Sequence, residues 1–82
     1  MRILYFAWLR EKIGASENLN PPPEVTTVGA LMGWLKTLDP AHAAAFANPQ
    51  LIRCAVDQDF ATADAAILGA TEIAFFPPVT GG

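Results

Sequence analysis

Thr27-Val28-Gly29-Ala30-Leu31-Met32-Gly33-Trp34-Leu35-Lys36-Thr37-Leu38 sets Val28, Leu31, Met32, Leu35 and Leu38 at spacings i, i+3, i+4, i+7 and i+10, one apolar stripe along a helix. Thr27 is placed to cap its first turn, and Asp39-Pro40 stops it. The same pair starts a second short helix, with Asp39 as cap and Pro40 at the first position, running through Ala41 to Ala47. A helix with one apolar stripe needs a surface to cover, and the flanking sequence supplies strands.

Upstream, Arg2-Ile3-Leu4-Tyr5-Phe6-Ala7-Trp8-Leu9 is apolar at almost every position, the pattern of a strand covered on both faces. Its parity sets Ile3, Tyr5 and Ala7 toward the core and Leu4, Phe6 and Trp8 outward. Arg10 to Ser16, with Gly14, reads as a turn, and Glu17 to Asn20 as a short return strand ended by Pro21-Pro22-Pro23. Downstream, Leu51 to Val56 reads as a strand, Asp57-Gln58-Asp59 as a turn into a short strand at Phe60, and Ala61 to Ala70 as loop. Thr71-Glu72-Ile73-Ala74-Phe75-Phe76 is the last strand, with Ile73 and Phe75 toward the helix and Ala74 and Phe76 away from it.

Strand, strand, helix, strand, short strand, strand is an α+β order that predicts a β-grasp, ubiquitin-like fold: a mixed sheet with one main amphipathic helix on one face. The expected division is a β-grasp domain over residues 1–76 and an extended arm over residues 77–82. Eighty-two residues suffice for one core and not two. Fifteen of the apolar positions are Ala, so eight aromatics and the Leu, Ile and Val set must fill that core.

Five Lys and Arg against eight Asp and Glu leave a net charge of −3, which argues against nucleic acid as a partner. The single cysteine, Cys54, forms no internal disulfide, which fits a cytoplasmic protein, and the apolar start is too short for a signal peptide or a membrane span. Cys54 reads as a buried, inert thiol in mid-strand. His42, the only histidine, reads as an ordinary surface or capping residue rather than a metal ligand. No catalytic constellation emerges, and no metal site is expected.

The informative feature follows Phe76. Pro77-Pro78 holds the base of the arm extended, and six residues at about 3.1 Å each reach roughly 19 Å from the body. Gly81 and Gly82 lack Cβ atoms, so the end can thread a narrow tunnel with its α-carboxylate exposed. Alone, a terminal Gly-Gly describes a frayed end. Directly after Phe75-Phe76-Pro77-Pro78-Val79-Thr80 and a β-grasp strand order, it describes a carboxylate placed for insertion into another protein's site.

Ala74 to Gly82 resembles the small subunit of molybdopterin synthase, the MoaD-like ubiquitin-like sulfur carriers. Weaker similarity covers Tyr5-Phe6-Ala7, Arg10-Glu11, Gly14, Thr27-Val28, Ala30-Leu31 and Ala55-Val56. Two turns depart from the family pattern: Asp57, where Asn is common, and Gly69-Ala70-Thr71, where an Asp-Gly-Asp-like turn is common. The resemblance implies that an adenylating activating enzyme uses ATP on the Gly82 carboxylate. Sulfur from a sulfur-transfer enzyme then displaces AMP to leave a thiocarboxylate. The large subunit accepts the tail, Pro77, Pro78, Val79, Thr80, Gly81 and Gly82, and sulfur passes to a cyclic pterin monophosphate within a heterotetramer of two small and two large subunits. The carrier itself holds no stably bound cofactor on this reading.

Phe6, Phe60 and Phe76 are expected on the uncovered sheet face, at positions where such carriers meet the large subunit. At about 2 kcal/mol per buried aromatic side chain, they offset much of the cost of ordering the arm. Two further readings use the same terminus: a thiamine-type sulfur carrier, and a ubiquitin-like modifier joined to lysines through Gly82.

Overall fold

The computed structural model describes residues 1–78. Along them run β1 (Arg2–Tyr5), α1 (Trp8–Ile13), β2 (Ser16–Asn18), α2 (Val28–Leu35), α3 (Pro40–Ala45), one 3-10 turn (Pro49–Leu51), β3 (Arg53–Val56), β4 (Asp59–Ala61) and β5 (Glu72–Phe76). The strands form one sheet in the order β2-β1-β5-β3-β4, with β1 and β5 parallel and the other neighbours antiparallel. A parallel pair needs a crossover. Here the chain between β1 and β5 supplies it, with α2 laid on one face, so the architecture is the β-grasp expected from the order of elements.

The two caps form as the sequence predicts. Thr27 is extended and its hydroxyl accepts the Ala30 N–H at 3.1 Å, while Asp39 Oδ1 accepts the His42 N–H at 2.8 Å ahead of Pro40. Val28, Leu31, Met32 and Leu35 are buried, but the stripe stops there. The helix ends at Leu35, and the amides of Thr37 and Leu38 turn back to the carbonyls of Trp34 and Leu35, leaving Leu38 exposed. Beneath the stripe lie Ile3 and Tyr5 of β1 and Ile73 and Phe75 of β5, all buried. Phe46 meets Phe75 edge-on at 5.1 Å and fills the space between α3 and the sheet.

The run from Arg2 to Leu9 is not one strand. β1 ends at Tyr5, and the segment expected to be a turn holds α1. Ala7 adopts φ 54 and ψ −132, which swings the chain out of the sheet, so Ala7 is exposed rather than in the core, and Trp8 packs against the core instead of facing out. Leu9, fully buried, anchors α1. That backbone conformation favours glycine. Ala7→Gly is therefore expected to stabilise the fold by about 1 kcal/mol, read as a rise in Tm.

Asp57 and Gln58 close the β3–β4 hairpin with φ of 48 and 74, the two left-handed positions of a tight turn. Asp57 Oδ1 also accepts from the Thr71 hydroxyl at 2.8 Å and from the amides of Thr71 and Glu72 at 2.9 Å each. The two turns that depart from the family pattern are thus one hydrogen-bonded unit joining the hairpin to the start of β5. The Thr71 hydroxyl, then the Glu72 and Thr71 amides, hold the Asp57 carboxyl below the usual range. Asp57→Ala is expected to lower the Tm by several degrees, whereas Asp57→Asn, which keeps an acceptor oxygen, retains most of it.

Candidate functional site

Cα partners across a sheet share a face. The register Leu4↔Ala74, Ala55↔Ala74, Ala55↔Phe60 and Arg53↔Phe76 therefore gathers Leu4, Ala55, Ala74, Phe60 and Phe76 on the side turned away from α2. No described helix covers that side. Phe60 is 87% exposed, Phe76 is half-buried, and their rings meet edge-on at 5.9 Å. Phe6 is 47% exposed, and its amide donates to the Phe75 carbonyl at 3.1 Å, so it continues β1 alongside the end of β5. Of the three phenylalanines, Phe60 and Phe76 form a ring pair, and Phe6 flanks β5 without joining it.

Pro77 and Pro78 follow directly and are half-buried. Pro78, Phe76, Phe60 and Arg53 border a shallow cleft of about 380 Å³ at the C-terminal end of β5. Val79, Thr80, Gly81 and Gly82, expected to carry the chemistry, lie outside the described residues.

His42 departs from the expected surface role. It is buried, and both ring nitrogens face carboxylates: Nδ1 lies 2.8 Å from Asp39 Oδ1 and Nε2 lies 2.7 Å from Glu17 Oε2. Tyr5 donates its hydroxyl to the same Glu17 oxygen at 2.7 Å. A carboxylate only accepts, so the ring satisfies both when both nitrogens carry protons. Burial alone pushes the imidazole down, but the Glu17 and Asp39 hydrogen bonds outweigh it and hold His42 above its ordinary value. Burial, reinforced by Glu17, pushes the Tyr5 phenol up, so it remains a donor.

The network ties α3 to β2 and β1 and explains why a polar ring sits at the core's edge. Its sequence signal was partial: Asp39 stands three residues before His42, whereas Glu17 is 25 residues away.

A group raised on folding stabilises below its unfolded pKa and loses that contribution as pH rises through the folded one. Stability is accordingly expected to fall as pH rises from the ordinary imidazole range through the raised His42 value, and His42→Gln to remove most of that slope, read by thermal melts across the range. Asp39 is held low by the His42 amide and ring, so its contribution is lost at the acidic end instead.

Cys54 is buried, and its Sγ approaches the Ala61 carbonyl at 3.3 Å. Burial pushes the thiol up, away from the thiolate a sulfur-handling cysteine needs. Among the described residues no group of three His, Cys, Asp or Glu side chains converges to hold a metal ion, and no helix is long and apolar enough to cross a membrane.

Comparison with known proteins bears on the fold and the family. The ThiS family profile matches residues 3–82. The molybdopterin synthase sulfur carrier subunit of Escherichia coli (strain K12) is 33% identical over 82 residues, covering all of this chain and 99% of that one. The crystal structure of SAMP1 from Haloferax volcanii superposes with a TM-score of 0.69 at 24% identity, over 99% of this chain and 97% of that one, and shows the same fold. With the β-grasp sheet and the full-length match together, the chain belongs to the ThiS family of ubiquitin-like sulfur carriers.

Proposed function

We propose that this protein is the sulfur-donating small subunit of a molybdopterin synthase. The observation that carries the reading is the Phe60–Phe76 pair on an uncovered sheet face, at the root of the Pro77-to-Gly82 segment. Full-length similarity to the E. coli carrier supports it.

An activating enzyme converts the Gly82 carboxylate with ATP to an acyl adenylate, releasing pyrophosphate. A sulfide-equivalent nucleophile then forms the C–S bond as the C–O bond to AMP breaks, leaving a thiocarboxylate. The carrier's aromatic face holds the large subunit while residues 77–82 enter its active site. Two prolines lower the cost of ordering that segment, and Gly81 and Gly82 let it pass where a side chain would clash. Sulfur transfers to a cyclic pterin monophosphate, and the groups that activate the acceptor belong to the large subunit.

The test supplies thiocarboxylated carrier and large subunit with the cyclic pterin substrate. Dithiolene formation is expected to consume two thiocarboxylates per pterin, with water returning each Gly82 to a carboxylate. Sulfur accepted only by a thiazole precursor would assign the thiamine-type pathway, and Gly82 isopeptides on lysines would assign a protein modifier.

A further inference from the structure

A second concave surface lies on the opposite side of β3 and β4, between them and α2. This groove has a volume of about 610 Å³, within the range of sites that accept ligands or anchor side chains. Met32 and Gly33 of α2 and Lys36 at its C-cap form one wall, with Ile52, Arg53 and Ala61 opposite, and Phe46 contributes to the lining.

Two features set the groove apart from ordinary loose packing. The first is charge. The chain carries eight acids against five Lys and Arg, yet the lining holds Lys36 and Arg53 and no carboxylate. Both ion pairs among the described residues belong to His42, so neither cation is neutralised there. The Arg53 guanidinium is held by the Gln50 carbonyl at 3.1 Å, which fixes it at the rim. The second feature is Gly33. A Cβ at Gly29 would meet the Ala63 carbonyl oxygen at 3.2 Å, so close packing explains that glycine. A Cβ at Gly33 would meet nothing within 4 Å, and no left-handed backbone requires it. Glycine inside a helix costs about 1 kcal/mol relative to Ala, a cost that packing here does not explain. What Gly33 does is leave the groove unobstructed.

We infer that this groove binds a short acidic segment of a partner protein, one or two large apolar side chains entering beside Gly33 and a carboxylate meeting Lys36 and Arg53. From Val28 to Lys36 the helical wall runs about 12 Å, the span of roughly four extended residues. Arg53, Cys54 and Ala61 border both this groove and the Phe60–Phe76 cleft, so the two surfaces meet along β3 and β4, while Met32, Gly33 and Lys36 line the groove alone. The inference stands whether or not the sulfur acceptor is a pterin.

Panning a displayed library of random dodecapeptides against the full-length protein tests it, followed by NMR titration with a synthetic peptide from the selection. Acidic sequences with large apolar residues are expected, shifting the amides of Met32, Gly33 and Lys36, which line this groove alone, and binding more weakly as salt is raised. Gly33→Leu, which fills the groove and improves helix propensity, should keep the Tm and weaken binding at least about tenfold. Lys36→Glu, at an exposed position, should do the same and carries the test if Gly33→Leu does not fold. Selection without an acidic and apolar consensus, shifts confined to Phe60 and Phe76, or unchanged affinity in the variants that fold would overturn the inference. Groove shifts that grow with protein concentration in the absence of peptide would also overturn it, by assigning the groove to a second copy.

Discussion

Removing Gly82 is expected to abolish thiocarboxylate formation and leave the melting curve unchanged. Both halves follow from where the work is done. The reacting atom in the proposed mechanism is a main-chain carboxylate, and deletion withdraws it by one residue, about 3.3 Å. Acyl transfer needs reacting atoms within roughly 3 to 3.5 Å, and a misplacement of about 1 Å already costs on the order of a hundredfold. A withdrawal three times larger removes turnover, although Gly81 still presents a carboxylate on a residue without a Cβ. The fold has no corresponding stake, because its core closes at Phe75, seven residues before Gly82. Mass spectrometry after incubation with activating enzyme, ATP and a sulfur source reads the first half, and a thermal melt the second. Sulfur loading that survives the deletion would place the reactive group elsewhere.

Phe76→Glu is expected to weaken large-subunit binding by more than about 2 kcal/mol, or roughly thirtyfold in Kd. The residue sits where the two tasks of the carrier meet, on the apolar face and immediately before Pro77. Replacement removes an aromatic ring from the edge-on pair with Phe60 and sets a carboxylate in a surface that must lose water on docking. Phe76 is half-buried, so part of any loss could come from the fold. Phe60→Ala separates the two effects: at 87% exposure Phe60 contributes little to the isolated protein, and its loss should still reduce affinity. Titration calorimetry with the large subunit checks both, and unchanged affinity in both variants would move the interface off this face.

The parts of the fold that depend on short-range chemistry were legible in the sequence. α2 follows from its stripe and the Thr27 cap, α3 from Asp39-Pro40, and β5 from Ile73 and Phe75 alternating with Ala74 and Phe76. α1 was not legible, because an apolar run from Ile3 to Leu9 suits a buried strand and a strand followed by a helix equally well. The break falls at Ala7, a residue type that gives no signal for a positive φ. His42 was misread for a related reason: half its environment comes from Glu17 on β2, which only the folded sheet brings to α3. Asp57 and Thr71 read as separate turns until β5 placed them in contact. On the sheet face turned away from α2, Phe60 and Phe76 were expected together with Phe6, but the pairing of the first two required the register of β3 with both β4 and β5.

The proposed sulfur-donating role turns on the chemical state of Gly82. The most direct measurement isolates the protein from cells containing its native partners and examines the intact C-terminal peptide by mass spectrometry. Alkylation comes first, because replacing oxygen by sulfur nearly matches the mass added by methionine oxidation. An alkylated thiocarboxylate on Gly82 is expected. A carboxylate that stays unmodified while the activating enzyme is active would contradict that role.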